Sequence, residues 1–179
     1  MLARLEIKNF KSHPSTLLEL SNLNVITGLN GVGKSSIFQT LLLLRQTHGK
    51  NRLTKGLDLN KPLCEIGEGK DALYQYAQND FIEFTLKTSD ATRYHWEFSA
   101  SDKDLDNTFL PLINQPDLPE FTQLSLFNNH FQYLSAFRWS PQESYPKETY
   151  AVEQERQISL EKDRVNWWLT SCTTIKKKK

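Results

Sequence analysis

Gly28-Leu29-Asn30-Gly31-Val32-Gly33-Lys34-Ser35 fits the pattern Gly-x4-Gly-Lys-Ser/Thr. Gly28, Gly31 and Gly33 let the backbone curl where a side chain would obstruct it, so that successive N–H groups can face one anion. The flanks suit that purpose. Leu23-Asn-Val-Ile-Thr27 is an apolar run that predicts a strand ending in the glycine cluster. From Ser35 onward, Ile37, Phe38, Leu41, Leu42 and Leu44 recur at helical spacing, predicting a helix to about His48 with Gly49 as its stop. A helix beginning at the loop adds the partial positive charge of its N-terminus at the same place. In this arrangement Lys34 reaches the β- and γ-phosphates of a nucleotide, and the Ser35 hydroxyl ligates Mg²⁺. A glycine-rich turn capping a buried helix is the plainer alternative, but it does not explain why Lys34 and Ser35 follow Gly33.

Working outward, Ala3, Leu5 and Ile7 alternate with Arg4, Glu6 and Lys8, which predicts a half-buried strand over residues 2–10. A second short strand is expected near Thr16–Leu20. Downstream, residues 50–72 read as loop, interrupted by Pro62, Gly67 and Gly69. Ile82, Phe84 and Leu86, then Tyr94, Trp96 and Phe98, alternate on either side of Thr88–Thr92 and predict an antiparallel hairpin. Residues 101–120, with Asp102, Asp104, Asp106, Pro111, Pro116 and Pro119, read as a surface excursion, and Phe131–Phe137 as a further strand. His13, His48, His95 and His130 have no metal-like spacing.

The chain has 179 residues, 38% of them hydrophobic and 24% charged, with a net charge of +1. That is the size and composition of one globular domain, and it excludes collagen-like and strongly disordered chains. No apolar run approaches the roughly 20 residues that span a bilayer, so no membrane role is expected. Two cysteines, Cys64 and Cys172, are too few for a disulfide framework, and a reducing, cytoplasmic setting is the expectation. Residues 163–179 carry five basic groups and one acidic group, leaving 17 basic and 20 acidic groups in residues 1–162. The bulk of the chain is therefore no basic platform for nucleic acid.

Ile7-Lys-Asn-Phe-Lys-Ser-His13, a second strand, and Asn24-Val-Ile-Thr-Gly28 leading into the loop together resemble the start of RecF- and SMC-type ATPase heads, which are ABC-class P-loop ATPases. Leu63–Asp71 and Tyr133–Pro141, with Tyr145-Pro146, resemble a bacterial branch of that group, so that the resemblance covers roughly residues 1–160. It implies an α/β P-loop fold: the N-terminal lobe of an ATPase head, with antiparallel strands beside the P-loop core. It further implies ATP and Mg²⁺ as ligands, held by Gly28, Asn30, Gly31, Gly33, Lys34, Ser35 and Ser36, with Ser35 on the metal. Asn9, Lys11 and Ser12 fall where such heads bring residues near the nucleotide. Gln75 and Gln78 are candidates for the glutamine that senses Mg²⁺ and the γ-phosphate, and Arg138 for a functional arginine. Partners implied are a second head or a missing C-terminal half, with DNA by resemblance alone; DNA repair and phage defence are the associated processes.

The departures matter as much as the matches. Such heads close with a Leu-Ser-x-Gly-type signature, an apolar strand ending in Asp-Glu, and a switch histidine, and none of these follows residue 140. Without the acid pair, the metal loses its outer anchor and the attacking water its base. The expectation is therefore the N-terminal half of an ATPase head, at residues 1–162, that does not turn over ATP alone. A module completed by a partner chain and an inert truncation product are the alternatives. A small P-loop kinase fits less well, because two strands precede the loop and residues 101–120 hold no arginine for a lid. Residues 163–179 break in composition, with Trp167-Trp168, Cys172 and Lys176–Lys179. They are expected to be a tail read in a shifted frame and outside the fold.

Overall fold

The computed structural model describes residues 1–114, 124–128 and 130–133. Its frame is an antiparallel sheet of β1 (Leu2–Phe10), β2 (His13–Glu19), β4 (Phe81–Thr88) and β5 (Arg93–Ser99), in the order β2-β1-β4-β5. Between β2 and β4 run the long helix α1 (Lys34–Gly49), the short strand β3 (Gly56–Asp58) and the single turn α2 (Gly69–Ala72). Strand β6 (Phe109–Pro111) pairs antiparallel with β3, and a 3₁₀ turn covers Ser125–Phe127.

The sheet obeys the period of two. Leu5, Ile7, Ile82, Phe84, Leu86, Trp96 and Phe98 are fully buried on one face, each such side chain contributing about 1.5–3 kcal/mol. The opposite face is ionic: Lys8 pairs with Glu83 at 2.9 Å, Lys87 with Glu6 at 3.2 Å, and Arg4 with Glu19. His95 on that face meets Thr85 Oγ1 at 2.9 Å; desolvation, then Arg93, holds its pKa below the ordinary value. One break in the alternation is built in. Asn9 adopts φ 53°, a left-handed conformation that Asn tolerates better than most residues, and this turns Phe10 into the core beside Phe84.

Helix α1 is buried along a wide arc that includes Leu42, Leu43, Leu44, Gln46 and Thr47. The buried amide of Gln46 is satisfied on both sides, donating to Asp58 O at 2.8 Å and accepting from the N–H groups of Leu63 and Cys64. Thr47 Oγ1 accepts the Asp58 N–H at 2.9 Å. These bonds lock α1 to β3, a strand inside residues 50–72, where a loop is expected from the sequence.

Two further expectations need correction. Residues 101–120 are not wholly a surface excursion, because Asp104 and Leu110 are buried and β6 closes on β3. Leu23–Thr27 is not a strand: Leu23 is 80% and Val25 76% exposed. A strand needs a neighbour to hydrogen-bond, and among the described residues none pairs with this segment. Of the strand expected over Phe131–Phe137, residues 131–133 carry no regular structure. Its remainder, Arg138, Tyr145-Pro146 and the tail at 163–179 lie outside the described residues.

Candidate functional site

The glycine-rich loop enters α1 through Gly33, which caps the helix at φ 93° and ψ 8°. Gly28 and Gly31 also take positive φ, at 150° and 86°. Only glycine populates such angles without a steric cost, so all three glycines of the motif are used as glycines. At Gly31 a Cβ would meet nothing; the requirement there is backbone angle alone. At Gly33 it is also contact, since a Cβ would overlap Ser12 Oγ and lie 2.7 Å from His13 Nε2.

The first turn of α1 holds no acidic residue and no side-chain cap. The first turn therefore brings no carboxylate of its own to offset the helix dipole, which favours an anion there. Lys34 Nζ donates to Gly28 O at 2.8 Å and to Leu29 O, which holds the ammonium over the loop. Ser35 is exposed at the same end of the helix, whereas Ser36 is buried with its N–H donating to Gly33 O at 2.9 Å. Asn30 is exposed on the loop. The donor set thus offers loop amides, one ammonium and one exposed hydroxyl, which suits a phosphate chain with a divalent cation.

Of the upstream candidates, Ser12 is brought against the loop and Asn9 is not. Asn9 Nδ2 donates to Phe81 O at 3.1 Å, and its carbonyl accepts the Tyr74 N–H. Lys11, at φ 50°, shapes the two-residue turn between β1 and β2, closed by the Phe10–His13 pair. Its N–H donates to Ala72 O at 2.8 Å. Gln75 and Gln78 are both exposed, in the segment that Tyr74 ties to the end of β1.

Sequence reasoning missed His13. It is 7% exposed, with Nε2 3.0 Å from Gly33 O and Nδ1 2.9 Å from Thr16 Oγ1. Its signal in the sequence was faint: a histidine directly before Pro14, where an alternating strand breaks. The remaining histidines do other things. His48 packs its ring at a tilt against Phe127, its pKa lowered by burial and by Arg45, and His130 is exposed. Among the described residues no group of three or more His, Cys, Asp or Glu side chains is placed to hold a metal, and no helix is long and apolar enough to cross a membrane.

Apolar side chains surround the loop in the open. Besides Leu23 and Val25, Leu29, Val32 and Phe38 are each at least half exposed. A groove of about 500 Å³ starts at Ser35 and follows α1 past Phe38 and Gln39 to Cys64, Glu65 and Phe131.

A family model described as an AAA domain matches residues 4–169. The DNA double-strand break repair Rad50 ATPase of Archaeoglobus fulgidus is 46% identical over 44 residues, 24% of this chain. The protein of the same name from Sulfurisphaera tokodaii is 30% identical over 103 residues, 57% of this chain. The matched regions amount to 5% and 11% of those two relatives.

Proposed function

The chain belongs to the AAA domain family, and from that premise we propose that it binds ATP with Mg²⁺ through residues 28–36, as the N-terminal part of a RecF/SMC-like ATPase head. The observation that carries this reading is the junction at Gly33. There a left-handed glycine delivers an acid-free helix N-terminus, with Lys34 held over the loop. Gly28, Asn30, Gly31 and Gly33 present the backbone to the phosphates. Lys34 compensates β- and γ-phosphate charge, Ser35 binds the cation, and Ser36 closes the first helical turn. Mg²⁺, when bound, neutralises phosphate charge and orients the chain of oxygens.

The similarity to double-strand break repair ATPases supports a role in DNA repair, with phage defence as the other process for such heads; DNA itself enters only through that likeness. Turnover requires an acid pair and a signature segment, so this chain alone binds without hydrolysing. The exposed Leu23 and Val25 favour a second element in the same reading: a module completed by strands from a second head or a C-terminal half.

Equilibrium dialysis with labelled ATP and Mg²⁺ tests this. Lys34→Ala is expected to weaken binding by about 2 kcal/mol or more, roughly thirtyfold, because phosphate charge is left unpaired. Equal binding by wild type and variant would remove the loop from the nucleotide site. Ser35→Ala is expected to reduce the Mg²⁺ dependence instead.

A further inference from the structure

We infer that His13 is a positioning residue for the phosphate loop. Together with Ser12 it anchors Gly33 to the turn of the β1–β2 hairpin, and so pre-sets the loop for its ligand. The inference rests on the nucleotide reading for its consequence, but the anchoring itself is a matter of geometry.

The chemistry fixes the direction of each bond. A carbonyl only accepts, so the imidazole proton at this contact belongs to Nε2, which donates to Gly33 O across 3.0 Å. In the neutral ring Nδ1 is then an acceptor, and the Thr16 hydroxyl 2.9 Å away donates to it. Both ring nitrogens are used, inside a site that leaves the residue 7% exposed. The same Gly33 carbonyl also accepts from Ser36 N at 2.9 Å and, more weakly, from Ile37 N at 3.4 Å. Gly33 O is therefore where a strand, a loop and a helix start converge.

Shape enforces the same contact. The turn at Lys11 and Ser12 is drawn tight by the positive φ of Lys11 and held by the bond from Lys11 N to Ala72 O. It presses Ser12 Oγ and the His13 ring onto the face of Gly33 where a Cβ would stand. The hairpin belongs to the hydrogen-bonded four-stranded sheet, whereas residues 28–32 of the loop are exposed throughout. Without the anchor the loop must lose conformational freedom when a phosphate arrives; with it, most of that freedom is already gone.

The test uses the full chain with three variants: His13→Ala, His13→Gln, whose amide can donate from the position of Nε2, and Lys34→Ala. In the ligand-free proteins, amide hydrogen exchange is read at Ser36 and Ile37 and, for reference, along β1, β4 and β5. His13→Ala is expected to speed exchange at Ser36 and Ile37 about three- to tenfold with the sheet unchanged; His13→Gln is expected to restore most of the protection. Labelled ATP with Mg²⁺ is then expected to bind His13→Ala about three- to tenfold more weakly than wild type, and His13→Gln within about twofold. Unchanged exchange in His13→Ala, or no rescue by His13→Gln, overturns the anchor. Faster exchange with unaltered ATP affinity reduces His13 to a purely structural contact and overturns its positioning role. A wild type that binds ATP no better than Lys34→Ala overturns the nucleotide reading, while the exchange data still decide the anchor.

Discussion

Two stretches with the look of a strand end in opposite surroundings. Phe81–Thr88 and Leu23–Thr27 are both rich in apolar, β-branched or aromatic residues. Yet Ile82, Phe84 and Leu86 are completely buried, while Leu23 and Val25 are among the most exposed large apolar side chains described. The difference lies in their neighbours. Strand β4 is bonded on one edge to β1 and on the other to β5, so its backbone and its apolar face are both satisfied. Leu23–Thr27 has no strand beside it among the described residues. An apolar pattern states a demand for burial; whether the demand is met is a non-local matter.

The largest effect is expected on the packed side. Trp96 is fully buried, 6.2 Å from both Tyr94 and Phe127 between ring centroids. Trp96→Ala removes the largest side chain of that core and is expected to destabilise the fold by about 3–5 kcal/mol in denaturant titration. A loss under about 1 kcal/mol would mean that the sheet is not the main stabilising unit.

A smaller effect tests whether polar groups hold the packed region as apolar ones do. Asp104 accepts from Ser101 Oγ at 2.6 Å and from Ser99 Oγ at 2.5 Å, which pins the end of β5. Those bonds, from Ser101 first and then Ser99, hold its pKa below the ordinary carboxylate value. A depressed folded pKa means stability that is present above the unfolded value, near 4, and lost as pH falls through the folded one. Asp104→Ala is therefore expected to cost about 1 kcal/mol at pH 7 and progressively less below pH 4. A penalty that stays constant into acid would assign the effect to packing instead.

What could be read from the sequence follows the same division. The β4–β5 hairpin, β1 and α1 were legible because their signals are local: period two with a short turn, or helical spacing with Gly49 as a stop. The glycine motif was legible residue by residue, since the backbone takes positive φ at Gly28, Gly31 and Gly33 and glycine is the residue that does so without strain. The pairing of β3 with β6 was hidden, because three-residue strands some fifty positions apart carry no periodicity. His13 was hidden for a related reason: its partner Gly33 is supplied by the fold, twenty residues away. The segment before the loop departs from its expected strand because an apolar pattern alone does not supply a pairing partner.

The smallest effect is the one that probes the comparison most directly. If Leu23 and Val25 stand in solvent, replacing both with serine removes little buried surface, and surface changes usually stay within about 0.5 kcal/mol. The double variant is expected to unfold within about 0.5 kcal/mol of wild type and to bind labelled ATP with nearly the same affinity, since both side chains are largely exposed and neither belongs to the proposed donor set. Ile82→Ser, on the matching buried row of β4, serves as the contrast and is expected to lose several kcal/mol, because it opens a cavity and buries a hydroxyl together. If the Leu23/Val25 variant instead loses about 2 kcal/mol or more, the segment is covered in solution by chain beyond the described residues. Adding a C-terminal half from a related head would separate the remaining possibilities. A partner that docks on this segment is expected to bind wild type and to lose affinity for the double variant, turning a substitution neutral in the isolated chain into a costly one in the complex.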